Sequence, residues 1–196
     1  MLKLILEAFI SISGITAASG IVYHDNQLHI VSDNSNYIYS YHLTGQKLSK
    51  TVLQQSSAME NIAKADKMDL ESITFDGNRY YLYGSGSNPK RKNRFTWDGK
   101  TVTQEDYSQV YSFLMDEFNI SEEDINIEGV VHLQDKILFF NRGNGPKGIN
   151  AILEYHPLAR DKSSCIPIEL PKLNGIPTGF SDAILVGNEI YFIATA

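Results

Sequence analysis

The chain has one cysteine, Cys165. An internal disulfide cannot form, and no cysteine cluster can hold zinc. A lone cysteine of this kind reads as a small buried hydrophobe. Positive charge is also short, with 17 Lys and Arg against 23 Asp and Glu and a net charge of −6. A general nucleic-acid binder needs a basic surface to displace counterions, so that class is set aside. Long apolar runs are missing too. The N-terminal "MLKLILEAFISISGITAASG" comes nearest, but Glu7 interrupts it and the stretch is too short to span a bilayer. Leu4, Leu6, Ala8, Ile10 and Ile12 alternate along it, which predicts a β-strand rather than a signal peptide. The chain therefore reads as cytoplasmic, with no membrane span. H-E-x-x-H, G-x-S-x-G, Walker and EF-hand patterns are all absent. The histidines His24, His29, His42, His132 and His156 are dispersed and read as structural.

What is present suits one domain over residues 1–196 with a real core: 42% of residues are hydrophobic and 20% charged. Gly143, Gly145 and Gly148 have the spacing G-x-G-x-x-G after an apolar run. A dinucleotide fingerprint needs a helix directly after the glycines, because the helix N-terminus holds the pyrophosphate. Here "INAILEYHP" follows, short, alternating and closed by a proline, so strand–loop–strand fits better.

The most informative feature is internal repetition. "SGIVYHDNQLHIVSDN" (19–34), "ESITFDGNRYYLYGSG" (71–86), "EGVVHLQDKILFFNRG" (128–143) and "SDAILVGNEIYFIATA" (181–196) align without gaps. Each has two short apolar strands around a polar turn: Asp25-Asn26, Gly77-Asn78, Gln134-Asp135 and Gly187-Asn188. Such residues supply the positive φ of a tight hairpin. Weaker strand signals follow the first three hairpins, at "YIYSYHL" and "KLSKTVL", "RFTWD" and "TVTQE", and "NAILEYH" and "CIPIEL". A period of about 50 residues with four strands per repeat is the signature of a β-propeller blade. The fold class is therefore an all-β propeller of four-stranded antiparallel blades. The chain supplies about three and a half blades, fewer than the four to eight of closed rings. We expect a fragment of a longer propeller that self-associates through its open edges. Residues 2–12 are a candidate strand for completing the last blade. One insertion breaks the repeat. Tyr107, Val110, Tyr111, Leu114 and Phe118 fall at helical spacing and predict a helix over 106–118. The sequon "NIS" at 119–121 carries little weight.

"ASGIVYHDNQLHIVSDNSNYIY", "KMDLESITFDGNRYYLYGSGSNPKRKNRF", "NIEGVV" and "GFSDAILVGNEIYFIATA" together resemble a bacterial propeller family close to the phytase-like or esterase-like propellers. The most specific piece is "DLESI…YLYGSGS…KR". Proteins of that group are longer than this chain. More distantly, gluconolactonase and regucalcin propellers carry an "EG" pair at a blade start, where the Glu ligates a divalent metal. The resemblance implies such a role for Glu128 and Glu71.

Blade geometry points the same way. Antiparallel pairing puts the start of strand 1 and the end of strand 2 at one end of the sheet. Glu71, Glu128 and the Ser181-Asp182 pair should ring the channel mouth, with Ser19 at the matching position. Glu71, Glu128 and Asp182 are the candidate metal ligands. Ser19, Asp33, Ser85, Arg91, Arg94, Arg142 and Lys147 are the candidate ligand-binding residues, the cations placed to hold a small anionic ligand. Lys90, Arg91, Lys92 and Arg94 crowd one loop, which also reads as a solvated charge run. The acids have a second reading as acceptors of backbone hydrogen bonds between blades. Converging carboxylates need a compensating cation or protons, and calcium takes oxygens from scattered segments. Three functions remain open: a ligand- or metal-binding propeller, a metal-dependent hydrolase of a phosphoester or lactone, and a protein-interaction scaffold.

Overall fold

The computed structural model describes residues 9–196. Blade 1 holds β1 (Ala18–His24), β2 (Gln27–Ser32), β3 (Tyr37–His42) and β4 (Lys47–Val52). Blade 2 holds β5 (Leu70–Phe75), β6 (Tyr80–Gly84), β7 (Asn93–Trp97) and β8 (Val102–Asp106). Blade 3 holds β9 (Ile127–His132), β10 (Ile137–Asn141), β11 (Ala151–Tyr155) and β12 (Ser164–Pro167). The fourth sheet is a hairpin of β13 (Gly179–Val186) and β14 (Glu189–Thr195). Within each sheet the strands run in sequence order and pair antiparallel. This is the architecture expected from the repeats, an open propeller with a two-stranded last blade. The alternating run at residues 2–12 lies mostly outside the described residues, and its described end, 9–12, is not in a strand.

The hairpin turns follow local chemistry, with one exception. Asp25 and Asn26 both take positive φ, and Gly77 and Gly187 do so in their turns. Gln134 and Asp135 do not, so the third hairpin turns without the left-handed residues expected of it. Its chain reverses through the amide of Leu133, which donates to Lys136 O at 2.9 Å.

The core lies in the seams between blades, because successive residues of a strand face opposite sides. Val130 and Phe139 enter the seam toward blade 2, while Val131 and Phe140 enter the seam toward β13. Ile73, Leu82 and Phe95 meet Val22, Val31 and Ile38 between blades 1 and 2. Among the described residues the seam between blades 4 and 1 has no such core. There Ile21 (41% exposed), Tyr191 (52%) and Ile193 (58%) line an open cleft of about 240 Å³.

The helix α1 (Ser108–Phe118) buries Val110, Tyr111 and Leu114 against blades 2 and 3, as its periodicity predicted. It ends at Asn119, a left-handed cap. The Tyr111 hydroxyl donates to the Gly84 carbonyl at 2.6 Å. The inserted helix thereby clamps the loop after β6, which leads into the site.

Candidate functional site

β1, β5, β9 and β13 line the channel, and each is irregular at the same place. Leu70 pairs with Gly84 and Ser72 with Tyr83, which leaves Glu71 as an extra residue. Ile127 pairs with Asn141 and Gly129 with Phe140, leaving Glu128. Phe180 pairs with Ala194 and Asp182 with Ile193, leaving Ser181. In β1 the shift falls at Ser19 and Gly20. A β-bulge frees a residue from the ladder and re-aims its side chain. The four bulged positions are those expected to ring the mouth.

The next residue does a different job, since it faces the neighbouring inner strand. Ser72 Oγ accepts from the Val130 amide at 2.8 Å, and Asp182 Oδ2 accepts from the Ile21 amide at 3.3 Å. Gly20 and Gly129 occupy the equivalent places. A Cβ at Gly129 would lie 2.7 Å from the Ala183 nitrogen, and one at Gly20 would lie 2.9 Å from the Ile73 nitrogen. Asp182 also accepts from the Ala183 amide at 2.8 Å. Its geometry is that of a backbone acceptor joining blade 4 to blade 1, and Ser181 is the residue equivalent to Glu71.

A second set of charges surrounds Glu71. Lys67 bridges Asp33 and Asp69 at 2.5 Å to each. Arg91 pairs with Asp69 at 2.8 Å, and Ser85 donates to the same carboxylate at 2.6 Å. Ser87 accepts from Arg91 at 2.9 Å. Asp69 sits just before β5 with φ of 55°, a left-handed conformation that Asp tolerates better than most residues. One oxygen each of Asp33, Asp69 and Glu71 lie within 4.8 Å of one another. Asp33 Oδ1 is buried and has no hydrogen-bond partner among the described residues. Among the described residues no Lys or Arg forms an ion pair with Glu71.

The carboxyls respond to this crowding. Burial first, then the charges of Glu128 and Asp69, push Glu71 up to about 8, although the Ser19 hydroxyl favours its charged form. Burial raises Glu128, against Arg142 (3.5 Å) and the Asn126 amide (2.8 Å), which favour its charge. Burial also lifts Asp182 to about 7, with Glu128 adding to it and two backbone amides opposing. Glu128 thus adds to the shift of both Glu71 and Asp182.

Other expected residues are spent elsewhere. Arg94 lies on β7, paired with Glu105 at 2.5 Å and stacked over Tyr81 and Tyr107, so it does not join Arg91. The reason is register: Arg91 belongs to a 3-10 turn, Pro89–Arg91, whereas Arg94 is inside a strand. Lys90 pairs with Asp66 and Lys92 with Glu122. Lys147 reaches the Asn119 carbonyl at 3.4 Å and Asp124 at 3.9 Å. The glycine loop is not an open anion nest either. The amides of Gly143, Asn144, Lys147 and Gly148 bond to Asn150, Arg142, Asp124 and Gly145. The basic residues of this face are thus largely neutralised by the protein's own acids and carbonyls. Cys165 is half-buried with its thiol pushed up by burial, which leaves it a poor nucleophile.

Sequence reasoning missed Lys67, Asp69 and Ser87. All three lie in the resembling piece "KMDLESITFDGNRYYLYGSGSNPKRKNRF", and Asp69 and Ser87 in its most specific part, so the signal was present as a motif without assigned roles.

Residues 14–196 match the family described as "Family of unknown function (DUF6929)". The chain belongs to that family. No curated protein matches it. Among solved structures it is similar to the Myxococcus xanthus glutaminyl cyclase, at 15% identity over 90% of this chain and 60% of that one, with a TM-score of 0.48. It is also similar to the extracellular domain of the putative hybrid two-component system BT4673 from B. thetaiotaomicron (11%, 95% and 21%, TM-score 0.45). A third likeness is to YjhT (11%, 92% and 72%, TM-score 0.43). The chain thus spans 60% of the cyclase and 21% of the BT4673 domain. None of these three carries the finer resemblance to phytase-like, esterase-like or gluconolactonase propellers. No helix among the described residues is long and apolar enough to cross a membrane.

Proposed function

We propose that this DUF6929 protein is a ligand-binding propeller that holds a cation, calcium by the chemistry of its donors, at the mouth of its channel. The observation that carries this reading is Glu71. It is bulged out of the ladder, set among acids, without a cationic partner among the described residues, and within ligand reach of Asp33 and Asp69. Calcium coordinates oxygens at about 2.3–2.6 Å, so donors on opposite sides of the ion lie about 5 Å apart. The separations here fit that span. Asp33 Oδ1, buried and unpartnered among the described residues, is an oxygen such an ion would satisfy. Lys67 already takes the other Asp33 oxygen and one of Asp69, so it holds the donors in place but does not neutralise Glu71. Glu128 and Arg142 border the site and would meet whatever group of a small ligand completes the shell.

A second reading, hydrolysis of a phosphoester or lactone, has its own support. Carboxyls at about 8 and about 7 stand near neutral pH, which suits proton transfer. A bound divalent ion would supply Lewis-acid activation of water or substrate there. Turnover of a phosphoester and lactone panel separates the two readings.

The test of the first is calorimetric titration of calcium into wild type, Glu71→Gln and Asp33→Asn. Saturable binding by wild type, weakened at least tenfold in both variants, supports the site. Absence of binding, or equal binding in all three, removes it.

A further inference from the structure

We propose that the opposite mouth of the channel is a second binding site, for an uncharged polyhydroxy ring such as a sugar unit. A cavity of about 760 Å³ lies there, at the hairpin ends of β5, β9 and β13 and away from the carboxylates of the first mouth. That volume is in the range of small-molecule sites. Phe75, His132, Leu133 and Leu185 are half-buried and form its floor, while Gln134 and Asn188 are exposed at its rim.

The lining carries one charged side chain, the Asp76 carboxylate, and its oxygens are already engaged. Asp76 is spent within its own turn: Oδ1 takes the amides of Asn78 and Arg79 at 2.8 Å, and Oδ2 takes the Tyr81 hydroxyl at 2.9 Å. His132 is held by Tyr83 (2.7 Å) and stacked on Tyr81. Burial and the nearby Arg94 lower its pKa to about 4, so the imidazole is neutral at pH 7. Among the described lining residues an anion meets no cation, and the one carboxylate already accepts three hydrogen bonds. What is open is neutral. The Gln134 and Asn188 carboxamides each offer two donors and an acceptor. The Phe75 ring and two leucines offer an apolar floor. A ring with hydroxyls at its edge and C–H groups on its face matches both surfaces.

The test is saturation-transfer NMR on the full chain with methyl glucoside, methyl galactoside and N-acetylglucosamine, followed by titration of whichever binds. Gln134→Ala/Asn188→Ala alters only exposed turn side chains and should keep the thermal midpoint. Binding by wild type, weakened at least tenfold in the double variant and unchanged in Glu71→Gln, supports the site. The proposal is overturned if none of the three sugars binds, if the double variant binds as wild type does, or if Glu71→Gln abolishes binding, which would place the sugar at the other mouth.

Discussion

Replacing Glu71 with Gln should make the protein more stable at alkaline pH and leave it nearly unchanged in acid. The sign follows from where the proton sits. Glu71 titrates at about 8 in the fold against 4.5 in a free chain, raised by burial and by Glu128 and Asp69. Between those values the folded state keeps a proton that the unfolded state has lost, so stability falls as pH rises. The loss runs at about 1.4 kcal/mol per pH step while a full proton separates the states. Over the whole interval that approaches 5 kcal/mol. Solvent screening at a half-buried group roughly halves it, leaving about 2 kcal/mol at pH 8. Glutamine keeps the size and polarity and removes the charge. For a domain of this length the midpoint gain corresponds to about 4–8 °C. The assay is thermal unfolding of wild type and variant from pH 4.5 to 9, read as their difference at each pH, which cancels carboxylates unaffected by the change. A flat difference, or one that grows toward acid, would refute the placement of Glu71 among unneutralised acids.

Three further outcomes are expected. Asp69→Asn keeps the left-handed backbone but unpairs Arg91 and half of Lys67, both well buried, and should cost about 3 kcal/mol in urea unfolding; a cost below about 0.5 kcal/mol would show that the network is solvated. Gly129→Ala drives a methyl into β13 and should destabilise by about 1–3 kcal/mol, with exposed Gly45→Ala, whose added methyl would come no closer than 3.7 Å to a neighbour, as the comparison. β14 presents Tyr191, Phe192 and Ile193 beside an edge that no strand among the described residues pairs, so sedimentation should show concentration-dependent association that Ile193→Lys reduces; a monodisperse wild-type monomer would contradict this.

The blades were legible because each hairpin repeats one pattern of apolar alternation and turn residues, and because the chain stops matching that pattern only at 105–119, where the helix lies. Glu71 and Glu128 were legible by position for the same reason. The bulges that aim them were not, since a bulge is a register mismatch between two strands and leaves no mark in one. That missing residue of register is why Asp182 reads as a mouth carboxylate in sequence and proves to accept amides across a seam. Arg91 and Arg94 are three positions apart and look equivalent. A 3-10 turn ending between them sends one to Asp69 and the other to Glu105. Lys67 and Asp69 escaped notice because their roles depend on Asp33, which lies on another blade.

The central claim is that acids at the channel mouth hold a cation, and proton release tests it most directly. At pH 7 Glu71 carries a proton that an arriving cation must displace. Calcium titrated into wild type in two buffers of different ionisation enthalpy should bind with release of close to one proton per ion, and Glu71→Gln should lose both the tight binding and the release. Binding without proton release, or no binding by the wild type, would contradict the account.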